Sequence, residues 1–412
     1  MITTVATGLL AAELMPVELV ERKGAGHPDT LADGVAEAIS RAYSRYCLDT
    51  FGAILHHNTD KTALLGGLAE VSFGSGKLVQ PITVLVNGRL TRALGEQQVP
   101  VDDIVEGAVR EYFSARLPLL DVEHDLVIRQ RLTQASSPGA VHGPSSEQVA
   151  GRTRWFAPRT LDDLAERHRM FANDTSAGVG YAPLGVAEHL AIAVESHLSG
   201  EDFLLEHPHV GTDIKLMVAR TGQKIHLTAC VPQIAVHTPD LATYLSRREE
   251  LRELIGTLAS VAAPGHDVLV AINTRDDAQR CELYLTAIGS SLESGDEGVV
   301  GRGNRANGLI SMLRPWSAEG VSGKNPVYHV GKLYNLAAQE AANRLHALTG
   351  ASLAVALVSQ SGRDLDDPWQ VLVHHSGSQP LDRALVEGVV GDVMADFDTL
   401  RQGLLDNALA TA

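Results

Sequence analysis

The 412-residue sequence has little of what marks several classes of protein. Its three cysteines, Cys47, Cys230 and Cys281, have no metal-site spacing, so we predict no disulfide framework and expect buried, reduced thiols, within helix or strands, in a cytoplasmic protein. No apolar run is long enough to span a bilayer, and the short apolar stretch at 8–12 is not preceded by a basic residue, as a signal peptide would require. Basic residues number 34 against 50 acidic ones, which gives a net charge of −16, so we expect neither a membrane nor a nucleic acid as partner.

The sequence does have ample material for buried cores. Hydrophobic residues make up 44% of it and charged residues of both signs 20%, which is typical of soluble globular proteins, and its length favours two or three domains. Helical and strand patterns alternate without a regular βα unit, so we predict an α+β fold. The clearest patterns are a strand and turn at 81–88, strands at 267–272, 281–288 and 352–358, a helix at 333–348 ended by Gly350, and a helical tail at 380–409.

A glycine-rich and cationic stretch at 295–305, followed by Ser-Gly-Lys-Asn-Pro at 322–326, predicts a polyphosphate-binding site. Arg302, Arg305 and Lys324 supply positive charge, and glycines let backbone amides approach phosphate oxygens. The stretch is not a Walker A loop, because Asn325 follows the lysine, and Ala306 stands where a dinucleotide fingerprint has its third glycine. Taken alone, such a loop is more often an ordinary solvated turn.

A second segment, at 21–30, leads into an amphipathic helix with apolar residues at three- and four-residue spacing. We predict Thr30 as its N-cap, with Asp33 at the capping-box position. His27 and Asp29 then lie at a helix N-terminus, where anions are favoured and a carboxylate can hold magnesium against phosphate. A plain capped turn with a surface histidine explains the same residues.

A third segment, at 213–231, alternates in polarity around a short glycine-containing turn and predicts a β-hairpin. Period 2 places Asp213 and Lys215 on one face. That face is either exposed to solvent or aimed into a site.

Taken together, these segments resemble the archaeal-type S-adenosylmethionine synthetases, from about residue 18 to residue 360. The order, the spacing and several runs of identical residues agree, including Gly-His-Pro-Asp at 26–29, Asp-x-Lys at 213–215, Gly-Arg at 301–302 and Ser-Gly-Lys at 322–324. The other matching segments are 21–25, 56–60, 65–67, 172–176, 178–184, 303–305, 325–326 and 329–332.

The resemblance implies three structurally similar α+β domains about a pseudo-threefold axis, here approximately at 1–133, 156–290 and 291–412. It also implies a mobile gating loop at 134–155, where the sequence is rich in Gly, Pro and Ser, and where a surface linker is the alternative. Gln134 matches the family pattern there, but Ala135 replaces the glycine that follows. Members of the family are homodimers with active sites at the subunit interface.

The activity implied is formation of S-adenosylmethionine from ATP and L-methionine. The thioether sulfur attacks C5′ of ATP and expels triphosphate, which is then hydrolysed to pyrophosphate and phosphate. A neutral thioether needs no general base, so the protein has to align the reacting atoms and stabilise negative charge on the triphosphate.

The resemblance also implies residue roles. Asp29 would bind Mg²⁺, while His27, Lys215, Arg302 and Lys324 would hold the triphosphate. Asp296 would hold the ribose or the methionine ammonium, and Asp174 would contact methionine or nucleotide. The remaining substrate-binding residues implied are Glu21, Asn58, Gln134, Arg305 and Lys332. A second magnesium ligand is not evident, although Asp60 is a candidate by its chemistry, and potassium often assists family members but no residue here commits to a potassium site.

Two other classes of function use the same residues. A phosphotransferase would need the same cations and magnesium but would produce ADP. A silent ATP-binding subunit would keep the fold and lose charge in the polyphosphate-binding site, whereas this chain retains Asp29, Lys215, Asp296, Arg302 and Lys324. Leu68 and Tyr328 depart from the family pattern. They indicate either an altered methionine pocket that accepts S-alkyl homologues more readily, or neutral changes outside it.

Overall fold

The computed structural model of the protein describes residues 1–134, 155–164, 167 and 169–406. The predicted gating loop therefore lies outside the described residues except for its two ends, Gln134 and Trp155, and so does the end of the predicted helical tail. None of the helices in these ranges is long and apolar enough to cross a membrane.

The strands, in chain order, are β1 (Ile2–Thr7), β2 (Val17–Lys23), β3 (His57–Asn58), β4 (Ala63–Leu65), β5 (Leu68–Ser72), β6 (Ser75–Gln80), β7 (Ile82–Leu90), β8 (Ala93–Leu94), β9 (Gln97–Gln98), β10 (Leu126–Thr133), β11 (Ala177–Ala182), β12 (Lys215–Thr221), β13 (Lys224–Cys230), β14 (Gln233–Ile234), β15 (Asp267–Ile272), β16 (Leu285–Thr286), β17 (Gly298–Val299), β18 (Ile310–Ser311), β19 (Leu353–Val358) and β20 (Gln370–His375).

The α-helices are α1 (Pro28–Phe51), α2 (Val101–Arg116), α3 (Val186–Leu198), α4 (Glu201–Glu206), α5 (Leu241–Ala262), α6 (Val330–Thr349), α7 (Arg383–Ala395) and α8 (Phe397–Leu405).

Three larger sheets, each with its own hydrophobic core, build the molecule. One has the strand order β1-β20-β19-β11 and packs on α6 and α7, and a second has the order β10-β7-β4-β17 and packs on α1 and α2. The third has the order β15-β13-β12-β2-β18 and packs on α3 and α5. The predicted α+β class is confirmed.

Each sheet joins segments that are far apart in the sequence. β1 pairs in parallel with β20 near the other end of the chain, and β2 pairs antiparallel with β12. In the second sheet, β17 pairs with β4 and brings the glycine-rich stretch against α1. This long-range pairing is what places the three sequence segments close together.

Most local predictions are confirmed, and the failures have physical reasons. The hairpin β12–β13, strands β15 and β19, and helix α6 with Gly350 as its C-cap all form. The turn predicted at 87–88 is wrong, because β7 continues through Gly88 to Leu90. Glycine is required there by close approach, since an added Cβ would lie 2.0 Å from the carbonyl oxygen of Asn58.

The predicted strand at 281–288 is also wrong, since it is reduced to β16. Cys281 has a φ of +54° and lies exposed in the turn before it, so the expectation of a buried thiol in a strand fails at this position. Apolar residues in this segment face a cleft rather than a continuous sheet. The C-terminal tail is helical as predicted, but it is divided into α7 and α8 at Asp396.

Candidate active site

Helix α1 begins one turn earlier than predicted. His27, not Thr30, is the N-cap, with φ −65° and ψ 136°, and its Nδ1 accepts a hydrogen bond from the Asp29 amide at 3.1 Å. Pro28 explains the shift, because proline is favoured at the first helical position and drives the preceding residue into the extended region. The proposed capping box at Thr30 and Asp33 is therefore wrong.

His27 is uncharged at neutral pH. Burial, together with the positive charge of Lys23, lowers its pKa to about 4. Since Nδ1 accepts a hydrogen bond, the single ring proton resides on Nε2. His27 thus presents a neutral N–H donor.

Asp29 is a buried and ionised carboxylate. Its Oδ2 accepts from Lys23 Nζ at 2.9 Å, and its Oδ1 accepts from the Val299 amide at 3.0 Å. Burial raises the pKa of Asp29, but the hydrogen bonds from Lys23 and Val299 outweigh this effect and leave the pKa below its usual value. Two hydrogen bonds leave further lone pairs on the carboxylate for a metal ion.

Asp33, on α1, forms hydrogen bonds with the backbone of the glycine-rich loop. Its Oδ1 accepts from the Gly301 amide at 2.8 Å and its Oδ2 from the Gly303 amide at 3.1 Å, and burial raises its pKa to about 7. These amides donate to a carboxylate of α1, so the expectation that they approach phosphate is wrong. The glycine at 303 serves close packing instead, because an added Cβ would lie 2.2 Å from Asp33 Oδ2.

The two arginines of this loop differ in their surroundings. Arg302 is exposed, and its backbone carbonyl accepts from Lys23 Nζ at 2.8 Å. Arg305 is partly buried, and its Nη2 donates to the carbonyl oxygens of Gly301 and Gly303 at 2.7 and 2.9 Å. Only Arg302 therefore presents its side chain freely to solvent.

His27, Lys215 and Asp296 line one cleft of about 570 Å³. Glu21 connects the cleft to Asp29, since its two carboxylate oxygens each lie 3.4 Å from an ammonium, one from Lys215 and the other from Lys23. Three of the residues predicted to bind triphosphate or ribose thus line the same cleft.

Sequence reasoning missed several residues of this cleft. Asp213 was noted only as a neighbour of Lys215 on a strand, but β12 begins at Lys215, and Asp213 is buried before it. Its Oδ2 accepts from the amide and the hydroxyl of Ser291 at 2.7 and 2.6 Å, and burial raises its pKa to about 6. The Asp-x-Lys spacing was a signal for Asp213, whereas Ser291 and Tyr284 carry none that a single sequence reveals.

Lys324 lies in a separate cluster. It is 3% exposed, forms an ion pair with Glu319, and has Asp60 Oδ2 4.0 Å from its Nζ. Asn58 forms a β-bridge with Lys324, and its Oδ1 accepts a hydrogen bond from the Asp60 amide at 3.1 Å. Lys324 is not among the described residues that line the His27 cleft.

Asp174 belongs to the Lys324 side of the molecule. Its own side chain is exposed, while the nearby Ser176 donates to Glu319 Oε1 at 3.1 Å. Gln134 is exposed at the end of β10. Neither Asp174 nor Gln134 is among the described residues of the His27 cleft.

Lys332 is fully buried rather than aimed at a cleft. Its Nζ donates to both carboxylate oxygens of Glu37, at 2.5 and 2.7 Å, and Glu37 Oε2 also accepts from the Gly323 amide at 2.9 Å. Burial lowers the pKa of Lys332, and the negative charge of Glu37 opposes this effect. The pair therefore anchors the loop that carries Lys324.

A family model described as S-adenosylmethionine synthetase (AdoMet synthetase) matches residues 2–141 and 157–407. The chain belongs to the S-adenosylmethionine synthetase family. The S-adenosylmethionine synthase of Aeropyrum pernix is 42% identical over 403 residues, which cover 96% of this chain and 92% of the relative. That of Haloarcula marismortui is 37% identical over 410 residues, covering 98% and 96%.

The fold is also that of a solved S-adenosylmethionine synthetase. The structure of an unusual S-adenosylmethionine synthetase from Campylobacter jejuni superposes with a TM-score of 0.59 at 15% identity, covering 97% of this chain and 95% of that one. The predicted resemblance to archaeal relatives is confirmed.

Metal binding in this family member would rest on few protein ligands. Within the described ranges, no three His, Cys, Asp or Glu side chains are arranged to hold a metal ion. Magnesium is usually held by one or two carboxylates together with substrate phosphates and water. The ionised carboxylate of Asp29, beside the His27 cleft, fits that pattern.

The two departures from the family pattern lie away from the cleft. Leu68 is 47% exposed on β5, and Tyr328 is buried with its ring 4.5 Å from that of His56. Neither is among the described residues that line the His27 cleft. The altered methionine pocket stays a prediction, since Lys324, a predicted substrate contact, lies outside the same cleft.

Proposed function

We propose that the chain forms S-adenosylmethionine from ATP and L-methionine, with sulfur attacking C5′ and triphosphate leaving, followed by hydrolysis to pyrophosphate and phosphate. One observation carries this proposal for the site: His27, Lys215 and Asp296, which come from three distant segments, line one cleft next to Asp29. Family membership supplies the reaction class.

The residues around the cleft suit displacement of a triphosphate. Lys215 and Arg302 supply positive charge, and neutral His27 donates from Nε2 to an oxygen of the leaving group without raising the charge of the site. Asp29 would hold Mg²⁺, whose chemistry when bound is neutralisation of phosphate charge. Asp296 would orient the ribose or the methionine ammonium.

We further propose that the working unit is a homodimer. Lys324 and Asp174, two further charged residues predicted to contact substrate, lie outside the cleft of their own subunit. A second copy would bring its Lys324 to the triphosphate bound at the first cleft, and the exposed apolar residues Leu65, Leu68 and Val299 offer material for such contact. Each active site would then be shared between two subunits.

The other predicted substrate-binding residues differ in how directly they would act on the substrate. Glu21 would act at the cleft through Lys215, and Asn58 would support the Lys324 loop through its β-bridge. Arg305 and Lys332 would act indirectly, since one holds loop carbonyls and the other is enclosed by Glu37. A direct role for Gln134, potassium activation and a cytoplasmic location remain predictions.

Incubation with ATP, methionine and Mg²⁺, followed by mass spectrometry of the products, tests the reaction. We expect S-adenosylmethionine, with pyrophosphate and phosphate in equal amounts. Without methionine, no S-adenosylmethionine should form. ADP as the main nucleotide product would instead identify a phosphotransferase.

A further inference from the structure

A second cavity, of about 710 Å³, lies beside the end of β2, where both Arg22 and Lys23 line it. Glu21 faces Lys215 at the cleft, whereas the next residue, Arg22, points the other way and contacts Glu195 on α3 at 2.8 Å. The cavity and the cleft share no described lining residue. A ligand in the cavity would therefore occupy a different space from one in the cleft, although Lys23 in the cavity wall pairs with Asp29 beside the cleft.

The cavity is rich in positive charge that carboxylates neutralise only in part. Arg22, Lys23, Arg116 and Arg305 line it, and Glu195 is the one acidic side chain among its described lining residues. Lys23 pairs with Asp29 and Glu21, which lie outside the cavity. Glu195 pairs with Arg22. Arg116 and Arg305 form no ion pair within 4.0 Å among the described residues, and the carbonyl partners of Arg305 cancel no charge, although the charges of Asp33 and Asp29 act on Arg305 from farther away. In a chain of net charge −16, such a concentration of guanidinium groups is unusual.

We propose that this cavity binds a small anion carrying two or more phosphate groups. Planar guanidinium groups bind phosphate oxygens through paired hydrogen bonds, and three of them from different elements surround one space. Asn343 on α6 adds an amide donor to the wall. The volume lies in the range of small-molecule sites, so either free pyrophosphate or the diphosphate end of a nucleotide fits.

Arg305 couples the cavity to the catalytic loop. The same guanidinium that lines the cavity donates to the carbonyl oxygens of Gly301 and Gly303, on either side of Arg302. An anion in the cavity attracts Arg305 and weakens these two hydrogen bonds, so it loosens the loop that presents Arg302. This step rests on the proposed function, and it predicts inhibition that is not competitive with ATP.

Isothermal titration with inorganic pyrophosphate tests the binding independently of catalysis. The cleft also binds phosphates in our proposal, so Lys215→Gln serves to silence it, and we expect this variant to retain binding at the cavity. Adding Arg116→Gln to Lys215→Gln should weaken the remaining binding by about tenfold or more, the usual effect of losing charged hydrogen bonds. Adding Asn343→Asp, which places a carboxylate in the wall, should weaken it similarly.

Controls separate this result from loss of fold. Arg252→Gln removes a partly exposed arginine of α5 that pairs with Glu249, outside the cavity, and should leave binding unchanged. Thermal unfolding should show that all variants fold. Pyrophosphate affinity that is unaffected by both Arg116→Gln and Asn343→Asp would overturn the proposal, whether or not the chain makes S-adenosylmethionine. Titration with ADP in the Lys215→Gln background identifies the source, since tighter binding of ADP indicates a nucleotide and tighter binding of pyrophosphate indicates the free anion.

Discussion

At the scale of single residues, two buried lysines of one short segment have different surroundings. Lys324 pairs with Glu319, whose side chain is 31% exposed, while Lys332 is enclosed with Glu37. The sequence motif contains both lysines and does not distinguish them. Their partners lie in other parts of the chain, so only the tertiary contacts separate a ligand-binding lysine from one that anchors a loop.

For Lys324→Ala, we expect kcat to fall by about a hundredfold or more with the fold intact. The variant removes one preorganised charge from the leaving group, which is worth roughly 3 kcal/mol in the transition state. Steady-state kinetics and thermal unfolding measure the two effects. A change confined to KM would show that Lys324 binds only ground-state ATP.

For Lys332→Met, we expect the main loss to be in stability. An unpaired Glu37 would remain buried, and breaking a buried ion pair by removing one partner costs about 3–5 kcal/mol. The urea unfolding midpoint should fall, and the double variant with Glu37→Gln should recover part of the loss. An unfolding midpoint equal to that of the parent would contradict the anchoring role.

At the scale of elements, the start of α1 and the glycine-rich loop form one unit. Asp29 and Asp33 together accept three hydrogen bonds from backbone amides of the loop, those of Val299, Gly301 and Gly303. Carboxylates in the first two turns of a helix and glycines in a loop each have several explanations in a sequence. Their contact spans some 270 positions, and this distance is why the role of the glycines was predicted incorrectly.

Gly303→Ala tests this unit. An added Cβ would lie 2.2 Å from Asp33 Oδ2, so either the loop or the Asp33 carboxylate has to shift and their hydrogen bonds weaken, and we expect both the melting temperature and kcat to fall. Gly107→Ala, in α2, meets no atom within 4 Å and is the matched control. It should leave activity unchanged and raise stability slightly, because alanine favours helix over glycine.

How far a sequence predicts such elements depends on the range of the contacts that fix them. The β12–β13 hairpin and α6 carry local signals, namely alternation around a tight turn and helical periodicity ended by a glycine, and both are confirmed. The 281–288 segment has an apolar composition that suits a strand, but tertiary packing places it beside the cleft. In the site, the family motif indicated His27 and Lys215, while Ser291 and Glu37 act through partners that no local pattern reveals.

At the scale of the whole molecule, three sheets assembled from distant segments leave the expected active-site residues in two groups. His27, Lys215 and Asp296 face one cleft, and Lys324 lies in another cluster with Glu319 and Asp60. A monomer that worked alone would need both groups at one ligand. In a twofold-symmetric dimer, the first group of one subunit can meet the second group of the other.

Subunit complementation tests this arrangement. Lys215→Ala and Lys324→Ala should each be nearly inactive, but after their equimolar mixing and subunit exchange about a quarter of the wild-type activity should return, since half of the dimers are mixed and each has one intact site. Mixing Lys215→Ala with His27→Ala should restore nothing, because both changes affect the same group of residues. The predicted recovery depends on the site being shared: if Lys215 and Lys324 of the same subunit served one ligand, each mixed dimer would have two damaged sites, and the activity would stay at the level of the single variants.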